Sequence, residues 1–167
     1  MKKIAVVALL SAFAAVPAVA ADTYLGVNIG SNKMDVTGVD SSTAYGILGG
    51  YSFNENVAAE LSYNNLGSAK VPSAGVDITG NVMGLAVVGS LPLNKDFSLL
   101  GKLGLASSTI EAQGSSSRSK TDLTYGIGAQ YNASKTVGIR LGYDSFKVGE
   151  PNSKDSTLIT IGAVFKL

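Results

Sequence analysis

Five polar side chains stand at inward-row positions of segments that are otherwise rich in glycine, small and apolar residues. They are two acids, two bases and one amide: Glu60, Lys102, Gln130, Arg140 and Asp144. The chemistry open to such a set is ion pairing, because a charge in a low-polarity interior is costly unless an opposite charge meets it. We therefore expect these side chains to face one another inside the fold and to plug it.

Residues suited to catalysis are scarce in this chain. It contains no His and no Cys, so mechanisms that need an imidazole base and sites that need thiolate ligands are closed to it. A Ser–Lys pair is the remaining alternative, since four serines and Lys120 share the stretch 115–120. A solvated surface loop is the favoured interpretation of that stretch. We expect no enzyme activity, no cofactor and no metal site.

The elements that carry the five polar residues are eight segments with alternating apolar character. Each has roughly the ten residues that a tilted strand needs to cross a bilayer. The predicted segments are 23–33, 43–53, 57–66, 78–91, 97–108, 121–132, 136–147 and 156–167.

Connections between these segments alternate strictly between short and long. The short ones are 54–56, 92–96 and 133–135, and the longer, polar ones are 34–42, 67–77, 109–120 and 148–155. Short turns on one side of a membrane and long loops on the other are typical of transmembrane barrels. This rhythm predicts an all-β fold, an eight-stranded antiparallel up-and-down transmembrane β-barrel with extracellular loops and both termini in the periplasm.

Each segment splits into a row of large apolar residues and a row of small ones. Val137, Ile139, Leu141 and Tyr143, for example, alternate with glycines and with the two charges of that segment. An eight-stranded barrel has only enough interior for the small row, so the large row must face lipid. Charged residues are 15% of the chain and its mean hydropathy is +0.26, which agrees with a lipid-facing surface.

Aromatic residues of the large row avoid the middle of the segments. This distribution predicts two aromatic girdles at the membrane interfaces. Toward the long loops lie Tyr45, Tyr63, Tyr125 and Tyr143, and toward the short turns lie Tyr51, Phe53, Phe97, Tyr131 and Phe165. Tyr24 and Phe146 depart from the pattern, because both fall in the small, inward row.

The first twenty residues have the pattern of an export signal. Lys2 and Lys3 precede an apolar stretch, and residues 18–20 read A-V-A, so we expect cleavage after Ala20 and a barrel domain over 21–167. The full chain has 13 basic and 12 acidic residues; removing Lys2 and Lys3 leaves 11 basic residues. This near-neutral balance does not favour nucleic acid as a partner.

Four stretches resemble the OmpA/OmpX and opacity-protein group of outer-membrane barrels. They are G-G-Y-S-F-N-E-N-V-A-A-E-L-S-Y at 49–63, F-S-L-L-G-K-L-G-L at 97–105, G-I-G-A-Q-Y-N at 126–132 and V-G-I-R-L-G-Y at 137–143. The resemblance implies that Glu60 pairs with Arg140 across the interior and that Lys102 is a second basic lumen residue. Gln130 stands where the group often has a Glu.

The end of the chain departs from that group in two ways. Its members usually finish in Phe, which the outer-membrane assembly machinery reads, whereas this sequence finishes Phe165-Lys166-Leu167. Their larger members carry a peptidoglycan-binding domain after the barrel, and none follows here, so we expect no cell-wall tethering through such a domain.

These observations favour a non-enzymatic outer-membrane protein. We expect it to contribute to envelope integrity and to present its loops for adhesion or for a host ligand. The alternative is a narrow porin-like channel for small solutes. The expected location is the bacterial outer membrane, reached through the Sec pathway. The expected partners are membrane lipid and lipopolysaccharide, the assembly machinery through the last strand, and a host surface ligand through the loops.

Overall fold

Eight β-strands account for almost all of the chain that the computed structural model describes, which is residues 23–34, 41–71, 76–112, 118–148 and 154–167. The expected export signal and the centres of the four long connections lie outside these residues. The strands are β1 Thr23–Met34, β2 Ser42–Ser52, β3 Val57–Val71, β4 Val76–Pro92, β5 Phe97–Ala112, β6 Arg118–Asn132, β7 Val137–Val148 and β8 Lys154–Lys166.

The sheet closes on itself. Every strand pairs antiparallel with its neighbour in sequence, and β1 pairs with β8 from Tyr24 opposite Lys166 to Met34 opposite Ser156. Closure removes the free strand edges that an open sheet would expose. The predicted eight-stranded antiparallel up-and-down barrel is therefore confirmed. The described ranges hold no helix that is long and apolar enough to span a bilayer.

Three tight turns join β2 to β3, β4 to β5 and β6 to β7, and they share one construction. The side-chain oxygens of Asn54, Asn94 and Ser134 each accept two backbone N–H groups, from the residues two and three positions later, at 2.8–3.2 Å. Such side-chain acceptors replace a turn's missing backbone bonds. These turns recur every forty residues and mark what we call the turn end; the opposite end is the loop end.

Odd- and even-numbered residues separate onto the two faces of the barrel wall, as strand geometry requires. The odd, outward residues include the large exposed apolar side chains, and Ile127 is the most open of them at 70% exposure. The even, inward residues are mostly small or polar. The other outward members include Ile29, Leu85, Val87, Leu103, Leu105, Leu123, Ile139, Leu141, Ile159 and Ile161.

Strands β3 to β6 run further toward the loop end than the alternation predicts. β3 reaches residue 71 instead of 66, and β6 begins at 118 instead of 121. Polar cross-strand contacts continue the ladder there, such as Thr109 Oγ1 to Ser119 Oγ at 2.8 Å. Backbone pairing persists beyond the apolar belt, where neither face of a strand has to be apolar. The alternation of large apolar and small residues therefore stops before the strands end, and the predicted segments are too short.

Two irregularities also lie toward the loop end. β3 bulges between Asn65 and Ser68, where Gly67 has a positive φ of 73°, a conformation that glycine adopts without strain. The β6–β7 ladder ends at Tyr125 opposite Ser145, although both strands continue beyond that pair. The last residues of β7 therefore pair with β8 but not with β6.

Candidate functional site

The barrel interior holds a network of polar side chains from five strands. Inward positions of β3, β5, β6 and β7 bring together the residues predicted from the sequence, and β1 adds one more. We call this set the lumen network: Tyr24, Glu60, Lys102, Gln130, Arg140 and Asp144.

Glu60 is the centre of the network and is only 2% exposed. Its Oε2 lies 2.5 Å from Nη1 of Arg140, which projects from the far side of the barrel on β7. A charge-assisted contact of this kind is among the stronger polar interactions in proteins. The expected pairing of these two side chains across the interior is present in the structure.

Lys102 joins the two acids. Its Nζ lies 3.2 Å from Oε1 of Glu60 and 3.1 Å from Oδ1 of Asp144. Lys102 and Asp144 face each other across Gly126, which pairs with both. The resemblance implied no ion-pair partner for Asp144. In the structure its partner is Lys102. With Arg140, the network holds two acids and two bases and is neutral overall.

Gln130 orients Arg140. Its Oε1 accepts hydrogen bonds from Nε and Nη2 of Arg140 at 3.0 and 2.9 Å, and its Nε2 donates to Oδ1 of Asn132 at 2.8 Å. The two residues are direct neighbours in the β6–β7 ladder. A neutral amide serves here because Glu60 already balances the charge of Arg140.

Sequence reasoning missed Tyr24 as a member of the network. Its hydroxyl donates to Oε2 of Glu60 at 3.1 Å, and its ring lies 5.3 Å from the guanidinium carbon of Arg140, within cation–π range. The ring occupies the space beside Gly50, where an added Cβ would come 2.0 Å from the Tyr24 Cζ. The sequence feature that could have identified it is the position of Tyr24, an aromatic residue in the inward row of small side chains.

Apolar side chains form a packed cluster in the lumen on each side of the network. Toward the turn end, Tyr24 packs with Ala58, Val88 and Val164, and Leu48 and Leu100 lie against them. Toward the loop end is a second cluster, which we call the loop-end seal: Ala44, Leu66, Val82, Ala106, Phe146 and Leu158. Both inward aromatics, Tyr24 and Phe146, thus belong to the packed interior.

The space left in the lumen is small and divided. Two cavities of about 40 and 30 Å³ lie beside Glu60, Lys102 and Asp144, and each has room for a few water molecules at most. A wider vestibule of about 430 Å³ opens at the turn end and reaches Gln130 and Arg140. None of these three cavities runs from one end of the barrel to the other.

The aromatic residues expected to form girdles point outward. Tyr45, Phe53, Tyr125 and Tyr143 are exposed. At the turn end, Tyr51 meets Phe53 edge to face at 5.4 Å, and Phe97 packs on Tyr131 at 4.9 Å. Their assignment to membrane interfaces stays a prediction.

The described fold defines a class of protein. A closed antiparallel barrel with its large apolar residues outside and a neutral charged cluster inside is a transmembrane β-barrel of the outer-membrane type. Lipid facing the outer wall explains why exposed leucine and isoleucine dominate that surface.

Comparison with known proteins supports the same class. A family model described as the outer membrane protein beta-barrel domain matches residues 5–166. The chain therefore belongs to this family of integral outer-membrane proteins. No curated protein matches the chain.

Several solved barrels share the fold. Neisserial surface protein A is 18% identical with a TM-score of 0.64, over 87% of this chain and 97% of that one. Ail of Yersinia pestis, solved with the heparin analogue sucrose octasulfate, is 20% identical with a TM-score of 0.58, over 86% and 95%. The N-terminal barrel of OprF from Pseudomonas aeruginosa is 16% identical with a TM-score of 0.60, over 85% and 97%.

Proposed function

We propose that this protein is a non-enzymatic component of the outer membrane that contributes to envelope integrity and presents its loop end outward for adhesion or for a host ligand. The observation that carries the proposal is the filled lumen. Between the ion-paired lumen network and the loop-end side chains only cavities of about 40 and 30 Å³ remain beside Glu60, Lys102 and Asp144, and the vestibule of about 430 Å³ at the turn end reaches no further than Gln130 and Arg140. A barrel filled in this way is a rigid support for surface segments.

The wall of the barrel suits it to this supporting role. Outward residues such as Leu85, Leu103 and Ile161 cover it with apolar surface for lipid. The turns at the other end are short and held by side-chain hydrogen bonds. The longer connections, which are rich in polar residues, thus lie at the loop end, and their centres lie outside the described residues.

A sulfated polysaccharide is a reasonable first ligand to test. Ail, a barrel of the same fold, was solved with a heparin analogue. The loop-end parts of the strands in this chain carry basic residues, among them Lys33, Lys120 and Lys147. Acids such as Asp122 and Asp155 lie among them, so binding would depend on local groups rather than on net charge.

Adhesion of intact cells tests the proposal. Cells that display the protein should bind immobilised heparin or host matrix proteins, and cells that display a barrel with the stretches 35–40, 72–75, 113–117 and 149–153 replaced by short Gly-Ser linkers should not. Equal binding by both, with equal amounts of folded barrel in the membrane, would contradict the proposal.

The alternative function is a narrow porin-like channel. The vestibule of about 430 Å³ favours it, because this space brings solvent from the turn end as far as Arg140. Liposome swelling separates the two functions. We expect liposomes that contain the pure protein to swell no faster in small sugars than protein-free liposomes do, and swelling at porin-like rates would favour the channel.

A further inference from the structure

The lumen is obstructed at two levels that differ in chemistry. The lumen network blocks it with paired charges, and the loop-end seal blocks it with apolar side chains. In the seal, Phe146 is 3% and Leu158 is 2% exposed. They meet in the lumen from neighbouring strands, β7 and β8, and Leu66 and Ala44 pack with them from β3 and β2.

The two levels are separate but adjacent. The cavity of about 30 Å³ lies between them, with Glu60, Thr124 and Asp144 among its polar lining residues and Val82, Phe146 and Leu158 among its apolar ones. Water in this cavity can solvate the network, whereas Val82, Phe146 and Leu158 offer it no hydrogen bond. An ion that passed the network would therefore have to shed its water to cross the seal.

The tip of β7 holds Phe146 over the lumen. Beyond Ser145 this strand no longer pairs with β6. Instead, the hydroxyl of Ser108 on β5 shares its proton between the carbonyl oxygens of Lys147 at 3.3 Å and Lys120 at 3.4 Å, and Ser156 on β8 pairs with Phe146. Because β5 is not a neighbour of β7 in the sheet and Ser108 is buried, this contact places the backbone of the tip on the lumen side of the first residues of β6, although the Lys147 side chain is exposed.

We propose that the loop-end seal is a hydrophobic gate in series with the lumen network, and that β7 beyond Ser145 is its mobile part. An apolar constriction excludes ions by dewetting and needs no charge. Loss of the ion pairs alone therefore leaves the barrel closed. Conduction requires that the seal also opens, through displacement of the β7 tip that carries Phe146.

Single-channel recording in planar bilayers tests the gate. The variants are Glu60→Ala, the pair Phe146→Ala with Leu158→Ala, and all three together. Each of the first two should stay close to the low wild-type conductance. The triple variant should raise the time-averaged conductance at least about tenfold, since it removes both barriers. The control joins Glu60→Ala with Leu141→Ala and Ile159→Ala, two lipid-facing changes on the same strands, and should stay closed.

A second variant keeps the test valid if the triple variant does not fold. Leu158→Asn keeps the branched shape and the number of side-chain heavy atoms of leucine but can hold water in the seal. Combined with Glu60→Ala, it should also conduct, with the folded state checked by heat-dependent gel mobility. The gate is disproved if Glu60→Ala alone conducts as well as the combined variants, if the seal variant alone does so, or if folded combined variants stay closed.

Discussion

Glu60 and Arg140 stand eighty positions apart in the chain and meet in the middle of the lumen, Oε2 to Nη1 at 2.5 Å. Their strands, β3 and β7, share no ladder, so only closure of the barrel brings them together. The pair links opposite walls of the barrel. Lys102, Gln130 and Tyr24 hold its two members in place and extend the link to β1, β5 and β6.

Removal of the central acid should be costly. We expect Glu60→Ala to lower the free energy of unfolding by about 3–5 kcal/mol, because the variant leaves Arg140 and Lys102 partly buried in the lumen with only Asp144 to balance them. Combining it with Arg140→Ala should cost less than the sum of the single changes. Urea unfolding in lipid vesicles measures both effects. Ser62→Ala, a neighbouring inward change without charge, is the control, and an equal loss in that variant would contradict the prediction.

The hydroxyl of Tyr24 should stabilise the network. Tyr24→Phe removes the donor to Glu60 and keeps the packed ring, so we expect the unfolding free energy to fall by about 1–3 kcal/mol. Tyr45→Phe is the matched control, because that ring faces outward at 59% exposure. The same unfolding assay applies, and the prediction fails if the two variants lose the same amount.

The absence of a side chain at Gly50 should be essential for the packing of the Tyr24 ring. A Cβ added there would lie 2.0 Å from the Tyr24 Cζ, whereas one added at Gly101 would meet no atom within 4 Å. We expect Gly50→Ala to cost about 1–3 kcal/mol through overpacking and Gly101→Ala to cost less. Comparing the two melting curves checks this, and similar curves would show that the ring moves aside freely.

The outward assignment of the odd-numbered residues can be tested with a charge and with a probe. Ile127→Arg should destabilise the barrel by about 2–4 kcal/mol if the residue lies near the bilayer centre. A fluorophore at position 127 should be quenched by brominated lipid, and one at position 124, which is inward and buried, should not. Equal quenching at both positions would reverse the assignment.

Orientation in the membrane is a separate prediction. An epitope inserted near Ser116, in the connection between β5 and β6, should be labelled on intact cells. An epitope at Asn94, in the β4–β5 turn, should be labelled only after the outer membrane is permeabilised. Labelling in the opposite order would place the turn end outside.

Much of this architecture could be predicted because strand geometry imposes it. Successive side chains of a strand point to opposite faces, so Ile139 and Arg140 lie on opposite faces of the barrel wall whatever the register between strands is. The alternation of short and long connections predicted that consecutive strands are antiparallel neighbours. A lone buried charge is costly, so Glu60 was expected to have a basic partner.

What could not be predicted depends on register between strands. Tyr24 was recognisable as an inward residue, but its fit beside Gly50 requires the alignment of β1 with β2. The pairing of Lys102 with Asp144 likewise follows from the positions of both opposite Gly126. The inward turn of β7 after Ser145 comes from contacts with β5 and β8, and no local pattern of residues marks it.

The distribution of the charges over alternate strands has a consequence for assembly. Glu60, Lys102 and Arg140 arrive on β3, β5 and β7, and no two of these strands are neighbours. A hairpin that brought β3 or β5 into the hydrocarbon by itself would carry an unneutralised charge, which is expensive there. We therefore expect closure of the barrel and its insertion into the bilayer to be concerted. The charged side chains would stay in water until β3, β5 and β7 are close enough for their ion pairs to form.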